Sequence, residues 1–375
     1  MPVRRIDMVQ FRNYQGMSCG FAPGMNILYG ENGTGKTTIL EAIHCLAVTK
    51  SFKATYDKHL VRHGEEYYQL SGEFYEGDRE DTIQLNYVRN QGKKLLLNGD
   101  EQEKLSSIVG RYPVITLTPE DADITFGSPA DRRKYVNKIL SQSAAGQMKL
   151  LQSFGYVLKQ RNAVIQRMAD DPSDVDETFL SVYDDQFIQT AMEVEKARAE
   201  FLKEYRSEVR EIYTHLTDGK RELRLRFSPS VPFRDEEQFR ESALELFRQR
   251  RNQELAFRRT VVGPQSDVID IYLDGNDVRN FGSQGEHKLI LVALKLAEGR
   301  YISRRNTGTP IYLMDDLFAE LDVERSVRIL QYLGDGGQMF ITSTDLGDLR
   351  QHGIEVEQPG TKILKMEQLL AGGRA

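Results

Sequence analysis

The chain has 375 residues, of which 39% are hydrophobic and 28% are charged, and its formal net charge is -6. These values are typical of a soluble, folded protein of two or three domains. The negative charge argues against a protein that binds nucleic acid over its whole surface, so we expect any DNA contact to come from local patches.

Other features of the sequence exclude further classes. No run approaches the roughly 18 apolar residues of a membrane span, and the first residues lack a secretory pattern. We therefore expect a cytoplasmic protein without a membrane partner. The two cysteines, Cys19 and Cys45, are too few for a disulfide framework or a structural zinc site.

The predicted elements at the start of the chain surround a phosphate-binding loop. Residues 3 to 14 alternate apolar and polar side chains, which predicts an opening strand. Residues 25 to 29 predict a second strand, and residues 38 to 43 predict a helix. Between them, residues 30 to 37 read Gly-Glu-Asn-Gly-Thr-Gly-Lys-Thr and fill the G-x-x-x-x-G-K-[ST] motif. Strand, loop and helix occur in the order that nucleotide binding requires.

This loop predicts how ATP and Mg²⁺ would be bound. Its glycines let backbone N–H groups close around phosphate oxygens at a helix N-terminus. Lys36 would reach the β- and γ-phosphates, and the Thr37 hydroxyl would hold Mg²⁺. A chance glycine-rich turn is the alternative, which the filled motif and its flanks disfavour. The predicted nucleotide contacts here are Gly30, Asn32, Gly33, Thr34, Gly35, Lys36, Thr37 and Thr38.

An antiparallel meander and a helical segment follow the loop. The turn-separated strands of the meander are predicted at residues 67–75, 82–88 and 93–97, and a further buried strand at 113–117. Apolar side chains then recur at helical spacing from Gln147 to Met168 and again from Tyr183 to Leu216. Helices of this length predict an antiparallel hairpin, and packing between them explains the apolar stripe without a ligand.

Strands return near the end of the chain, predicted at residues 268–273, 310–314 and 339–342. The strand over residues 310–314 delivers Asp315 and Asp316 at its carboxyl end, where α/β sheets place their ligands. Asp315 would bind Mg²⁺, and Asp316 would orient or deprotonate the attacking water. Taken alone, two aspartates after a strand are also typical of an ordinary turn. We therefore predict a head formed by residues 1–120 and 258–375, with a helical lobe inserted at 121–257.

A third motif, Ser283-Gln284-Gly285-Glu286, opens a helix. Ser283 and Glu286 form a capping box, so a well-capped helix is one interpretation. The other is that this helix N-terminus meets the γ-phosphate of a nucleotide held by a second subunit. Gly285 favours the second interpretation, because capping does not require a glycine there. The segment Ala319 to Asp322 would then lie at the seam between subunits.

Four basic clusters are candidates for DNA contact, although each is also typical of a solvated face. They are Lys220-Arg221 with Arg224 and Arg226, Arg248 with Arg250 and Arg251, Arg258-Arg259, and Arg132-Arg133-Lys134.

These motifs together resemble the ATP-binding-cassette (ABC) ATPases of the chromosome-maintenance type, and most closely the RecF family. The resemblance runs nearly end to end. It is carried by residues 11–14 (Phe-Arg-Asn-Tyr), the phosphate loop, residues 127–129 with Arg132-Arg133, and residues 159–162, 281–286, 315–316 and 320–322. It implies an α/β fold: an ABC-type P-loop ATPase head, with a mixed sheet and antiparallel meander, plus an inserted α-helical arm containing a short helix hairpin.

The resemblance also implies a function. Members bind single- and double-stranded DNA at gaps in an ATP-dependent manner, dimerise on ATP, and help to load the recombinase RecA together with RecO and RecR. Carried over by position, Lys36 and Thr37 would bind ATP and Mg²⁺, Asp315 the metal, and Asp316 the hydrolytic water. Residues Ser283, Gln284, Gly285 and Glu286 would contact the opposing subunit's γ-phosphate. Arg12 would lie near the nucleotide.

Two departures from the family pattern matter. Residues 263–268 read Gly-Pro-Gln-Ser-Asp-Val, where the family usually has Gly-Pro-His-Arg-Asp-Asp. Residues 342–345 read Thr-Ser-Thr-Asp, where transporter ATPases place a switch histidine, so we expect hydrolysis to be slow and assign no histidine base.

Two other functions share the phosphate loop. A transporter ATPase subunit is disfavoured because the meander and paired helices replace its compact helical subdomain. A small-molecule P-loop kinase leaves the Ser-Gln-Gly-Glu motif without a role.

Overall fold

The computed structural model describes residues 1–144, 146–171, 177–305, 308–318, 321–334, 336–357 and 359–372. The chain divides into two compact units. The first, which we call the head, comprises Met1–Ala122, His215–Gly219 and Ser283–Ala375, and the second, the lobe, comprises Asp123–Thr214 and Lys220–Gly282. No helix of the described residues has the length and apolarity to cross a membrane.

One sheet of the head is antiparallel, with strand order β2-β1-β4-β5-β6-β7. Its strands are β1 (Val3–Phe11), β2 (Tyr14–Gly20), β4 (Tyr67–Glu76), β5 (Arg79–Val88), β6 (Gly92–Leu97) and β7 (Asp100–Glu101). The turns at Gly77-Asp78 and Asn90-Gln91 join β4 to β5 and β5 to β6. The predicted meander is confirmed, and so is the opening strand up to Phe11; a turn at Arg12-Asn13 then leads into β2, which was not predicted.

The second sheet of the head is parallel, with strand order β14-β3-β13-β12-β8. Its strands are β3 (Met25–Tyr29), β8 (Val114–Leu117), β12 (Ile311–Met314), β13 (Gln338–Ser343) and β14 (Lys362–Lys365). Every residue of β8, β12 and β13 is buried, as expected for strands of a covered parallel sheet. The carboxyl ends of these strands meet at one edge.

Helices complete the head. They are α1 (Lys36–Val48), α8 (Gln284–Arg305), α9 (Val323–Leu333), α10 (Leu346–Gln351) and α11 (Met366–Gly372). The apolar residues of α1 share one core with both sheets: Ile39 and Ile43 are fully buried in a cluster with Ile6 of β1, Leu28 of β3 and Leu70 of β4. This packing fixes the helix that follows the phosphate loop.

The lobe combines helices with a small antiparallel sheet of order β11-β10-β9. Its elements are α2 (Asp123–Phe126), α3 (Pro129–Ser143), α4 (Gln147–Asp170), β9 (Leu223–Ser228), α6 (Glu236–Phe257), β10 (Val268–Leu273), β11 (Asn276–Asp277) and α7 (Val278–Phe281), together with α5 (Glu177–Leu216), whose last residues are counted in the head.

The predicted helix hairpin is confirmed by contacts between α4 and α5. The rings of Phe154 and Phe187 lie 5.5 Å apart, and Arg161 Nε donates to Asp184 Oδ1 at 2.8 Å. Residues later in α4 contact residues earlier in α5, so the two helices are antiparallel.

The sequence-based division placed residues 258–282 with the head, whereas the structure places them in the lobe. The reason is strand pairing: β10 pairs along its whole length with β9, from Val268 opposite Ser228 to Leu273 opposite Leu223. Strand β9 itself was not predicted, because its arginines suggested only a basic patch. Leu223 is buried and Arg224 and Arg226 are exposed, which is the alternation of a half-buried strand.

A buried ion cluster joins three helices of the lobe. Arg161 of α4 is fully buried; its Nη1 donates to Glu254 Oε1 of α6 at 2.7 Å, and its Nε to Asp184 of α5. Its guanidinium also lies 4.0 Å from the centroid of the Phe247 ring. Removing one partner of such a cluster leaves buried charge uncompensated.

We therefore expect Arg161→Met to lower the free energy of unfolding by about 3–5 kcal/mol, measured by urea titration. The control is Arg240→Met, because Arg240 pairs with Asp185 at the surface of the same lobe. It should cost at most about 1 kcal/mol. Equal losses in the two variants would contradict the assigned role of the buried cluster.

Candidate nucleotide site

The phosphate loop lies between β3 and α1, at the edge of the parallel sheet where the strands end. Its first residue is tied to a neighbouring strand, since Gly30 N–H donates to the Ser343 carbonyl of β13 at 3.3 Å. Lys36 is buried, and its Nζ donates to the carbonyls of Gly30 at 2.7 Å and Glu31 at 3.1 Å. The ammonium is therefore enclosed by the loop itself.

Asp315 joins the loop to the ends of two strands. Thr37 Oγ1 donates to Asp315 Oδ2 at 2.8 Å, and Thr342 Oγ1 donates to Asp315 Oδ1 at 2.9 Å. The backbone N–H of Asp315 donates to the Leu117 carbonyl of β8 at 2.9 Å. The carboxylate that sequence assigns to the metal thus contacts the hydroxyl assigned to the same metal.

Asp316 occupies a strained and electrostatically unfavourable position. Its φ is 49°, in the left-handed region, and its N–H donates to Thr342 Oγ1 at 2.9 Å. Partial desolvation, and then the Asp315 charge, raise the pKa of Asp316, which is still exposed to solvent, while Lys36 and Thr342 oppose this shift. A carboxyl group with a raised pKa is suited to accept a proton from water.

Arg12 lies in the turn between β1 and β2 and faces α1. Its Nε and Nη2 donate to the two carboxylate oxygens of buried Glu41 at 2.7 and 2.6 Å, and its Nη1 donates to the His59 carbonyl at 2.9 Å. The hydrogen bond to Glu41 raises the pKa of Arg12. Arg12 therefore stays charged at one side of the site.

Several of these groups line one cavity of about 880 Å³, whereas Asp315 and Thr342 are not part of its lining. It brings together most of the predicted residues, namely Arg12, Asn32, Gly33, Gly35, Lys36, Thr37, Thr38 and Asp316. Sequence reasoning missed another part of the lining: Asn13, Glu41, Lys53, His59, Val61, Arg62 and His63. The sequence offers two signals for this wall: Asn13 lies in the Phe-Arg-Asn-Tyr stretch, and Lys53, His59, Arg62 and His63 belong to a basic segment after α1.

The predicted signature residues are not among those that line this cavity. Ser283, Gln284 and Gly285 are exposed at the start of α8. Ser283 N–H and Oγ donate to Glu286 Oε2 at 2.7 and 2.8 Å, and Glu286 N–H donates to Ser283 Oγ at 3.4 Å. The capping box is present, and any role toward a second subunit stays a prediction.

The segment Ala319 to Asp322 is described only in part, because Ala319 and Glu320 lie outside the described residues. Asp322 caps α9, since its Oδ1 accepts from Arg325 N–H at 2.8 Å.

The donor set around the loop fits Mg²⁺. Within the part of the chain that the structure describes, no cluster of three or more His, Cys, Asp or Glu side chains could hold a metal alone. Thr37 and Asp315 supply adjacent oxygen donors, and Mg²⁺ bound with nucleotides takes few protein ligands and completes its shell with phosphates and water.

The basic clusters of the lobe differ in their exposure to solvent, and therefore in whether they can contact DNA. Arg132 is buried and donates to the Ile124 and Ile269 carbonyls, and Arg133 donates to the Asp267 carbonyl. This pair therefore has a structural role, and it was wrong to group it with surface patches. The exposed candidates in the lobe are Lys134, Lys220, Arg221, Arg224, Arg226, Arg248, Arg250, Arg258 and Arg259.

Comparison with known proteins finds relatives that match this chain over most of its length. Residues 2–356 match the model of the family described as RecF/RecN/SMC N terminal domain. A DNA replication and repair protein RecF of Salinibacter ruber is 33% identical over 357 residues, covering 92% of this chain and 86% of that protein. The RecF of Chlorobium limicola is 32% identical over 361 residues, covering 95% and 98%.

A solved structure has the same fold. It is that of the recombination mediator protein RecF with ATP in the RecFOR pathway, and it is similar with a TM-score of 0.86, at 27% identity, over 92% of each chain. The predicted α/β head with its inserted helical lobe is confirmed.

The pKa of Asp316 predicts a pH-dependent stability. The folded protein holds this proton more tightly than the unfolded chain, so stability falls as pH rises from the ordinary carboxyl range to the raised pKa. Asp316→Asn lacks this titration, and asparagine tolerates positive φ. We expect the variant to raise Tm of the nucleotide-free protein at pH 7, with the gain shrinking toward pH of about 4.

The control for this measurement is Asp78→Asn, at an exposed turn of the meander. It should leave Tm unchanged at both pH values. A gain for Asp316→Asn that does not vary with pH would contradict the assignment.

Proposed function

The chain belongs to the RecF family, and we propose that it is an ATP-dependent DNA-binding protein that acts in the cytoplasm in recombinational repair and replication restart. The observation that carries the proposal is the complete phosphate loop, with Thr37 hydrogen-bonded to Asp315 at 2.8 Å, on a chain similar end to end to a RecF solved with ATP. The RecF relatives are named DNA replication and repair proteins.

In this proposal each residue of the site has one task. Lys36 exchanges its carbonyl partners for the β- and γ-phosphate oxygens of ATP, and the loop N–H groups donate to the same phosphates. Thr37 and Asp315 would hold Mg²⁺, which supplies charge neutralisation at the phosphates when it is bound. Asp316 orients the attacking water and accepts its proton.

The signature residues act across a dimer. Ser283, Gln284 and Gly285 are exposed, and all four signature residues lie outside the cavity of their own chain, so this helix start can approach the nucleotide of a second copy. A helix N-terminus with a free approach favours negative charge. ATP bound at one subunit would then be completed by the other, and the dimer would form only with ATP.

Slow hydrolysis releases this dimer from DNA. Thr342 hydrogen-bonds both to Asp315 and to the backbone of Asp316, in the segment where a switch histidine would otherwise supply a general base.

We place the protein on single- and double-stranded DNA at gaps, where it helps to load RecA with RecO and RecR. The solved relative is described within the RecFOR pathway. The alternative of a transporter ATPase subunit has no specific observation in its favour.

The test is DNA affinity measured with and without ATP and Mg²⁺. We expect ATP to tighten binding of the unmodified protein by about tenfold, within the usual range of coupling between sites, and salt to weaken it steeply. Ser283→Arg should abolish the ATP effect, because a bulky cation replaces the exposed cap.

The control is Ser303→Arg, which adds the same charge at an exposed position near the other end of α8. It should keep the ATP effect. If ATP leaves both DNA affinity and self-association of the unmodified protein unchanged, the proposed function is wrong.

A further inference from the structure

Tyr14 forms a contact between the β1–β2 hairpin and the phosphate loop. The hairpin turns through Arg12 and Asn13, with Phe11 paired to Tyr14. The Tyr14 side chain is buried in the head core, and its hydroxyl donates to the Thr34 carbonyl at 3.0 Å. The hydroxyl is therefore held in place by the sheet and not by the loop.

The same ring packs directly against Gly35. A Cβ added at Gly35 would lie 2.2 Å from the Tyr14 hydroxyl oxygen and 2.7 Å from Cζ, which is closer than real atoms approach. Gly35 also has a φ of 96°. A glycine at this position is thus required by the approach of Tyr14 as well as by the backbone.

This contact determines the direction of one amide. In a planar trans peptide, the carbonyl of one residue and the N–H of the next point to opposite sides. The chain has no cis peptide among its described residues, so the Gly35 N–H points away from Tyr14 when the Thr34 carbonyl points toward it. Gly35 lines the cavity. A peptide that precedes glycine rotates easily, because glycine tolerates both signs of φ.

We propose that Tyr14 is a positioning residue that fixes the Thr34–Gly35 peptide and thereby aims the Gly35 N–H at the bound phosphate. This inference rests on the proposed function, since it concerns the same nucleotide. Burial raises the pKa of Tyr14 further above neutrality, so the hydroxyl keeps the proton that it donates.

The test compares Tyr14→Phe with a matched control, Tyr112→Phe. Both variants keep the ring and remove a buried hydroxyl; that of Tyr112 donates to Asp81 Oδ2 at 2.8 Å elsewhere in the head. Three quantities are measured: hydrogen exchange of residues 31–36 without nucleotide, Kd for ATP, and Tm without nucleotide.

We expect Tyr14→Phe to speed exchange in the loop several-fold and to weaken ATP binding by about two- to tenfold, the effect of one lost hydrogen bond. Its Tm should change less than that of Tyr112→Phe. The control should lower Tm and leave loop exchange and Kd unchanged. A purely structural role of Tyr14 would give the opposite pattern, with a lower Tm and unchanged ATP binding.

The inference is overturned if the Tyr14→Phe variant has the same hydrogen-exchange rates in the loop and the same Kd for ATP as the unmodified protein. If the unmodified protein binds no ATP, the proposed function fails. In that case hydrogen exchange without nucleotide still decides whether Tyr14 holds the Thr34–Gly35 peptide. Faster loop exchange in Tyr14→Phe supports this role, and unchanged exchange contradicts it.

Discussion

The hydrogen bonds that converge on Asp315 hold the site together. Thr37 and Asp315 are 278 residues apart in sequence, and they meet because the parallel sheet places β3 beside β13 and β13 beside β12. The phosphate loop follows β3, Thr342 belongs to β13, and Asp315 follows β12. One carboxylate therefore connects three strand ends, and the loop can be correctly placed only when the sheet has its native order.

The phosphate loop and the acid-ended strand could be read from the sequence because their motifs are local, and the structure brings Thr37 and Asp315 together. The phosphate loop, the strand before Asp315 and the capping box at Ser283 each occupy one short stretch whose spacing carries the chemistry. The division of the chain was harder to predict. Strand β10 has the composition of any buried strand, and only its pairing with β9 places it in the lobe. Arg132 was misjudged for the same reason, since the carbonyl of Ile269 that accepts its hydrogen bond is 137 residues away.

The residues that the sequence did not reveal also depend on distant contacts. His59 and Val61 line the cavity because Arg12 and Phe11 reach them across the head: Arg12 donates to the His59 carbonyl, and Phe11 bridges to Val61. Energetically unfavourable local features also occur in the lining of this cavity. Asp316 combines a positive φ with a partly desolvated carboxyl group beside a second carboxylate. Strain of this kind persists where the surrounding structure fixes it, and it is found preferentially at functional sites.

We propose that nucleotide is held between two copies of the chain. Sedimentation velocity of the purified protein, with and without ATP and Mg²⁺, tests it most directly, and an Asp316→Asn sample should hold ATP without turnover. We expect a monomer without nucleotide, a dimer with ATP, and a dimer that persists in Asp316→Asn. A protein that binds ATP and stays monomeric at high concentration would contradict it, and Ser283 to Glu286 would then be no more than a helix cap.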